Sequence, residues 1–154
     1  MTGYQRNSFT VFLVNEGRIL VKCIGNKLIS PSWFASGGGF DNDNLAYIRH
    51  KMFCEYGVTV DDLEEPKLRY VTLRYTEGEL RQNFFFFAET KNDLNIPFIG
   101  NDKWVPFMEL LEMEMPKTVQ GVLKHYLEIG RSNERVYCGV VKQKGLAISE
   151  LEEF

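Results

Sequence analysis

The spacing of apolar and polar positions along the chain predicts two β-hairpins separated by a helix. Residues 9–14 and 19–24 are apolar runs rich in β-branched and aromatic side chains, and they flank Asn15, Glu16, Gly17 and Arg18, a turn-forming set. Residues 67–75 and 80–90 repeat the arrangement around Glu77 and Gly78. The second of these strands holds Phe84, Phe85, Phe86 and Phe87 in succession, a run without alternation that predicts burial on both faces. Residues 25–39, rich in Gly, Ser and Pro, read as a loop. A helix is expected to start near Asn44. Asp41, Asn42 or Asp43 would cap it, their side-chain oxygens accepting the free N–H groups of the first turn. Leu45, Ile48 and Met52 fall on one face of that helix, and Gly57 ends it.

Further along, residues 104–107 predict a short strand and 109–112 a turn. Pro116 stands where a second helix begins, with Val119, Val122, Leu123, Tyr126 and Leu127 as its apolar stripe and Gly130 closing it. Residues 136–141 and 146–149 predict a last strand pair. The order of strands, helix, strands, helix predicts an α/β sandwich, a mixed sheet between helices. A single domain is expected over residues 1–154, with 130–154 as a C-terminal extension.

Composition narrows the function. A chain of 154 residues, 44% hydrophobic and 25% charged, suffices for one folded core. The net charge of −3 and the lack of a basic stripe argue against a nucleic-acid partner. The run at residues 9–14 is too short for a signal or membrane helix, so no membrane partner is expected. Three cysteines without a paired spacing read as reduced thiols, which fits a cytoplasmic location. Two histidines exclude a histidine-rich metal centre.

One segment carries candidate chemistry. Trp33, Phe34, Ala35, Ser36, Gly37, Gly38, Gly39 and Phe40, then the expected helix, then Glu55, Tyr56, Gly57 and Val58 resemble a Nudix box, G-x5-E-x7-R-E-U-x-E-E-x-G-U with U apolar. The early hairpin, the aromatic strand, the strand at Trp104 and the closing helix fit the same family over roughly residues 8–129. The resemblance implies a Nudix-type α/β/α sandwich. It also implies a hydrolase that cleaves a nucleoside diphosphate linked to another group, with Mg²⁺ or Mn²⁺ held by carboxylates on one helix face. A homodimer is common among proteins of that family.

Counted back from Gly57, however, the box's R-E falls on His50 and Lys51, its E-E on Cys54 and Glu55, its earlier Glu on Asn42 and its leading Gly on Ser36. Counted forward from Gly38, the earlier Glu falls on Asn44, a loop two residues short. Packing positions such as Met52 and Val58 are kept, and of the carboxylates only Glu55 survives. Lys51 would oppose a divalent cation by roughly 8 kcal/mol at about 4 Å and an effective dielectric near 20, unless its flexible stem swings away. Cys54 is a soft ligand, unsuited to Mg²⁺.

Each candidate has a plain alternative. Glu55 is either a retained ligand and catalytic residue or the partner of Lys51 one turn earlier, a pair worth a few tenths of a kcal/mol. Asp41 and Asp43 either supply replacement ligands or cap the helix. Cys54, with His50 on the same face, is either a nucleophile or a small buried hydrophobe. Gly37, Gly38 and Gly39 either let the backbone approach a phosphate or serve the turn into the helix. Glu77, Glu79, Glu89 and Asp102 lie near strand ends, and none is given a role. Trp33, Phe34, Phe40 and Trp104 are either stacking platforms for a base or core.

Three functions follow. The first is the metal-dependent hydrolase, with Glu55 helped by Asp41, Asp43 or later acids. The second is a non-catalytic domain binding a nucleotide or other diphosphate ligand, with the glycines and Lys51 as anion-binding elements. The third is a dimeric scaffold with an apolar surface at residues 136–141. The residues favour loss or severe impairment of ordinary Nudix catalysis.

Overall fold

A computed structural model describes residues 4–30, 33–36, 46, 50, 64–90, 102–142 and 145–150. Its frame is one mixed nine-stranded sheet. Strand β1 (Tyr4–Asn15) runs parallel to β6 (Glu79–Glu89) through eleven successive pairs, from Tyr4↔Glu79 to Val14↔Glu89. Strand β5 (Lys67–Thr76) lies on the far side of β6, joined to it by the expected hairpin. Glu77 and Gly78 take φ of 53° and 78°, and Glu16 and Gly17 take 46° and 77° in the turn from β1 to β2 (Arg18–Ile24). Positive φ at both central residues lets a two-residue turn follow the right-handed twist of the strands. The closing pair is β8 (Tyr137–Lys142), parallel to β5, and β9 (Gly145–Glu150).

Four expectations need correction. β1 starts at Tyr4 rather than at residue 9, because pairing with β6 recruits a polar stretch that has no hydrophobic pattern of its own. The first hairpin is only two pairs long, Val14↔Ile19 and Asn15↔Arg18, after which its strands part. β1 then pairs with β4 (Trp33–Ser36), and β2 pairs with β3 (Lys27–Ser30) and with β7 (Asp102–Pro106). Residues 27–30 and 33–36 are therefore strands, not loop, formed by their neighbours rather than by periodicity. Phe107, expected in the strand at Trp104, opens the short helix α1 (Phe107–Leu110), which takes in the first half of the expected turn, while Leu111 and Glu112 keep the turn, closed by Glu112 N–H donating to Glu109 O.

Helix α2 (Lys117–Glu128) follows Pro116 as expected, and buries Val122, Leu123 and Tyr126. It packs on one face of the sheet against Phe12, Val14, Tyr70, Phe85 and Phe87. The other face is buried too: Val11, Leu13, Leu20 and Phe86 are 0–1% exposed. The phenylalanine run thus lies in the middle of the sheet with its last three members buried. Each fully buried side chain of this size contributes roughly 1.5–3 kcal/mol, far more than turn preferences, so packing dictates β6.

Gly130 does not end α2 in a left-handed conformation. Ile129 is the cap, with φ −130°, and Gly130 starts a 3₁₀ turn, Gly130–Ser132. A glycine is needed there because the Tyr70 hydroxyl occupies the space a Cβ would fill. Among the described residues, no helix is long and apolar enough to cross a membrane.

Candidate functional site

Of the residues the sequence singles out, Gly37, Gly38, Gly39, Asp41, Asp43, Lys51, Cys54 and Glu55 lie outside the described residues, as does Phe40. Ala46 and His50, within the expected helix, are helical and exposed. Ser36, the last residue before the three glycines, pairs with Ser8 on β1. Ser36 therefore lies beside the first half of β1, opposite a residue two positions from Arg6.

At that end of the sheet, the register sets three arginines in one row. Arg6 on β1 faces Arg81 on β6, and Arg81 faces Arg74 on β5. Side chains alternate along a strand, so the three share the face of Thr10, Thr72 and Asn83, the same face that carries α2 further along. Adjacent strands lie roughly 4.8 Å apart, and like charges directly opposite one another disfavour the pairing. Glu79 relieves part of this. Its Oε1 accepts from Arg81 Nε at 3.1 Å and is ion-paired with Arg6 Nε at 3.2 Å. One carboxylate against three guanidinium groups leaves the row a net +2 (+3 − 1). Arg74 is exposed and has no partner among the described residues.

Beside the row, the sheet surface is polar. Thr10 and Thr72 are 2% and 4% exposed, and the Thr10 hydroxyl donates to Asn83 Oδ1 at 3.1 Å. That bond uses the amide oxygen of Asn83 and leaves its NH₂ group as a donor. The result is a positively charged row of arginines with buried hydroxyl groups and an amide group beside it on the same face of the sheet.

The other candidate acids do not converge. Glu77 forms the β5–β6 turn, Glu79 is held by the arginines, Glu89 is exposed at the end of β6, and Asp102 begins β7 opposite Lys22. Among the described residues, no three His, Cys, Asp or Glu side chains are grouped to hold a metal ion. The donor set at the box positions, one carboxylate with a lysine and a thiol, does not fit Mg²⁺. Trp104 is half-buried beneath the Arg18 guanidinium, 5.6 Å from its ring centre, so one face of that platform is taken.

A second polar cluster lies under the C-terminal half of α2. Tyr70 Oη and His125 Nδ1 are 2.8 Å apart, and both rings pack on Tyr137. Burial raises the Tyr70 phenol well above its ordinary value and lowers the His125 imidazole below 6.5. The pair is thus a protonated phenol hydrogen-bonded to an imidazole that burial biases toward its neutral form. Next to it, Arg69 is the extra residue of a β-bulge between Leu68 and Tyr70, and the bulge turns its side chain toward the 3₁₀ turn. It donates to Gly130 O at 2.5 Å, Arg135 O at 2.9 Å and Asn133 Oδ1 at 3.3 Å.

The sequence matches no family model and no curated protein. Its structure is similar to several solved ones. The MutT mutator protein from Bacillus halodurans is 17% identical with a TM-score of 0.61, over 94% of this chain and 97% of that one. A Nudix hydrolase from Nitrosomonas europaea is 13% identical with a TM-score of 0.61, over 92% and 80%. The Ap4A hydrolase of C. elegans is 12% identical with a TM-score of 0.53, over 82% and 97%. At these identities the likeness concerns the fold: the chain has the mixed-sheet α/β fold of Nudix hydrolases, as its sequence resemblance implied.

Proposed function

We propose that this Nudix-fold protein binds a nucleotide or related phosphate-bearing small molecule against the arginine row, with ordinary metal-dependent hydrolysis lost or severely impaired. The observation that carries the reading is the alignment of Arg6, Arg81 and Arg74 across three adjacent strands with one carboxylate between them. Guanidinium groups bind phosphate oxygens directly and need no cation to neutralise them. The box positions support the same reading, since a lysine stands at a carboxylate position. The scaffold reading is weaker. Within residues 136–141, Tyr137 and Gly139 are buried and Val140 is the large exposed hydrophobic, so no broad apolar surface is presented there.

The test is calorimetric titration with ADP, ADP-ribose and ATP in EDTA, beside product release with Mg²⁺ and with Mn²⁺. Binding is expected without metal, and Arg74→Ala and Arg81→Ala should each weaken it about tenfold, the scale of one charge-assisted hydrogen bond. Product release should be negligible and unchanged by Glu55→Gln. Turnover that Glu55→Gln abolishes would instead establish a working metal site.

A further inference from the structure

The arginine row is not uniform along its length. Glu79 is 9% exposed, and its Oε1 lies 3.1 Å from Arg81 Nε and 3.2 Å from Arg6 Nε. One carboxylate oxygen thus meets two of the three guanidinium groups. Among the described residues it makes no ion pair with the third. Arg74 stands two strands from Arg6, roughly 10 Å away along the row at a strand spacing near 4.8 Å. Its side chain is exposed and has no ion-pair partner among the described residues. Glu77, the next carboxylate beyond it in the β5–β6 turn, forms no ion pair among them either.

This difference governs how an anion meets the row. A guanidinium presents several N–H donors in a planar fork. At Arg6 and Arg81 the Nε edge faces Glu79, and a carboxylate charge stands beside the donors that remain. At Arg74 the whole fork faces solvent. Glu79 stays seated when an anion arrives, because lifting a mostly buried carboxylate off two guanidinium groups would leave it unpaired. The row therefore carries a full positive charge at Arg74, while Arg6 and Arg81 share a net +1 (+2 − 1).

Phosphate groups differ in a matching way. A phosphate attached at one point carries about −1.5 to −2 charge near neutral pH and offers three strong acceptor oxygens. A phosphate linked on both sides carries less charge and has fewer free oxygens. The first kind gains most from an unshared guanidinium and suffers most beside a carboxylate.

We infer, on the basis of the phosphate-binding role proposed above, that Glu79 gives the row a direction. A ligand that ends in a free phosphate places that terminal group on Arg74 and the rest of its chain toward Arg81 and Arg6. The row accordingly prefers such ligands to diphosphates substituted at both ends. Glu79 is a positioning residue, acting through the two arginines it holds.

The test is calorimetric titration of the full chain in EDTA with ADP, which ends in a free phosphate, and with ADP-ribose, which is substituted at both ends. ADP should bind about fivefold more tightly, the scale of one hydrogen bond. Arg74→Ala, at an exposed side chain and so compatible with folding, should weaken ADP about tenfold and remove most of that preference. Arg6→Ala should weaken ADP only about twofold, the scale of an exposed charge pair, and keep the preference. With Glu79→Gln in place, either end of the row accepts the terminal phosphate, so adding Arg74→Ala should cost only about twofold, a coupling that a double-mutant cycle reads directly. Equal or tighter binding of ADP-ribose by the native chain would overturn the inference and leave phosphate binding at the row intact. So would an Arg74→Ala loss no larger than the Arg6→Ala loss, or one that is the same with and without Glu79→Gln. Binding of neither nucleotide would overturn the phosphate-binding role and the direction together.

Discussion

His125 shows how a single residue ties packing to solution behaviour. Burial lowers its imidazole below the ordinary value of 6.5, with Glu128 opposing the shift and Arg69 adding to it. The ring is hydrogen-bonded to the Tyr70 hydroxyl and packs edge-on against Tyr137. Because the folded chain holds the proton more weakly than the unfolded one, the contribution to stability is complete above about pH 6.5 and is lost as pH falls below it. Urea midpoints measured from about pH 5 to about pH 8 should drop on the acid side less steeply for His125→Asn than for the native chain. Equal slopes would mean that the imidazole titrates alike in both states. In the sequence His125 counted only as one of two histidines, too few for a histidine-rich metal centre. Its neighbours, Tyr70 and Tyr137, come from β5 and β8, beyond the reach of helical spacing.

At the scale of elements, the bulge at Arg69 links the sheet to the turn after α2. One extra residue in β5 displaces the side chain from the ladder and sends it to the carbonyls of Gly130 and Arg135. These bonds fasten the segment between α2 and β8 without any periodic signal of their own. Arg69→Met, which keeps length and loses the donors, should cost about 1–3 kcal/mol by leaving acceptors unsatisfied. Hydrogen exchange should then quicken at the amides of Ser132 and Asn133, which bond to Ile129 and Gly130, while the amides of β6 stay protected. Unchanged exchange in that turn would show that the arginine does not hold it. The strands β3 and β4 teach the same lesson. Four residues each are too few for a period to be read, and their pairing with β2 and β1 makes them strands.

For the whole molecule, the arginine row gives a chain of net charge −3 a local positive surface at one end of its sheet. Exposed charges act over about 10 Å at 0.1 M salt and about 3 Å at 1 M. Affinity for ADP measured by calorimetry should therefore fall several-fold between about 50 mM and about 500 mM salt, and Arg74→Ala should flatten the dependence. A salt-independent affinity would place the phosphate groups away from the row. The fold itself accounts for the location: β1 and β6 run side by side, so Arg6 meets Arg81 from the other half of the chain.

Much of this was legible in the residues. The apolar runs, the positive-φ turns and the stripe of α2 are local patterns, and strands or helices form over a few residues at a time. The β5–β6 turn at Glu77 and Gly78 already implied that Arg74 faces Arg81, because a two-residue turn fixes the register of its strands. The loss of the box carboxylates needed only counting. Tertiary structure alone decided the parallel pairing of β1 with β6, which completes the arginine row, and the bulge at Arg69. Those depend on which faces the sheet buries and on contacts between residues far apart in the chain, a choice made by packing that no local period encodes.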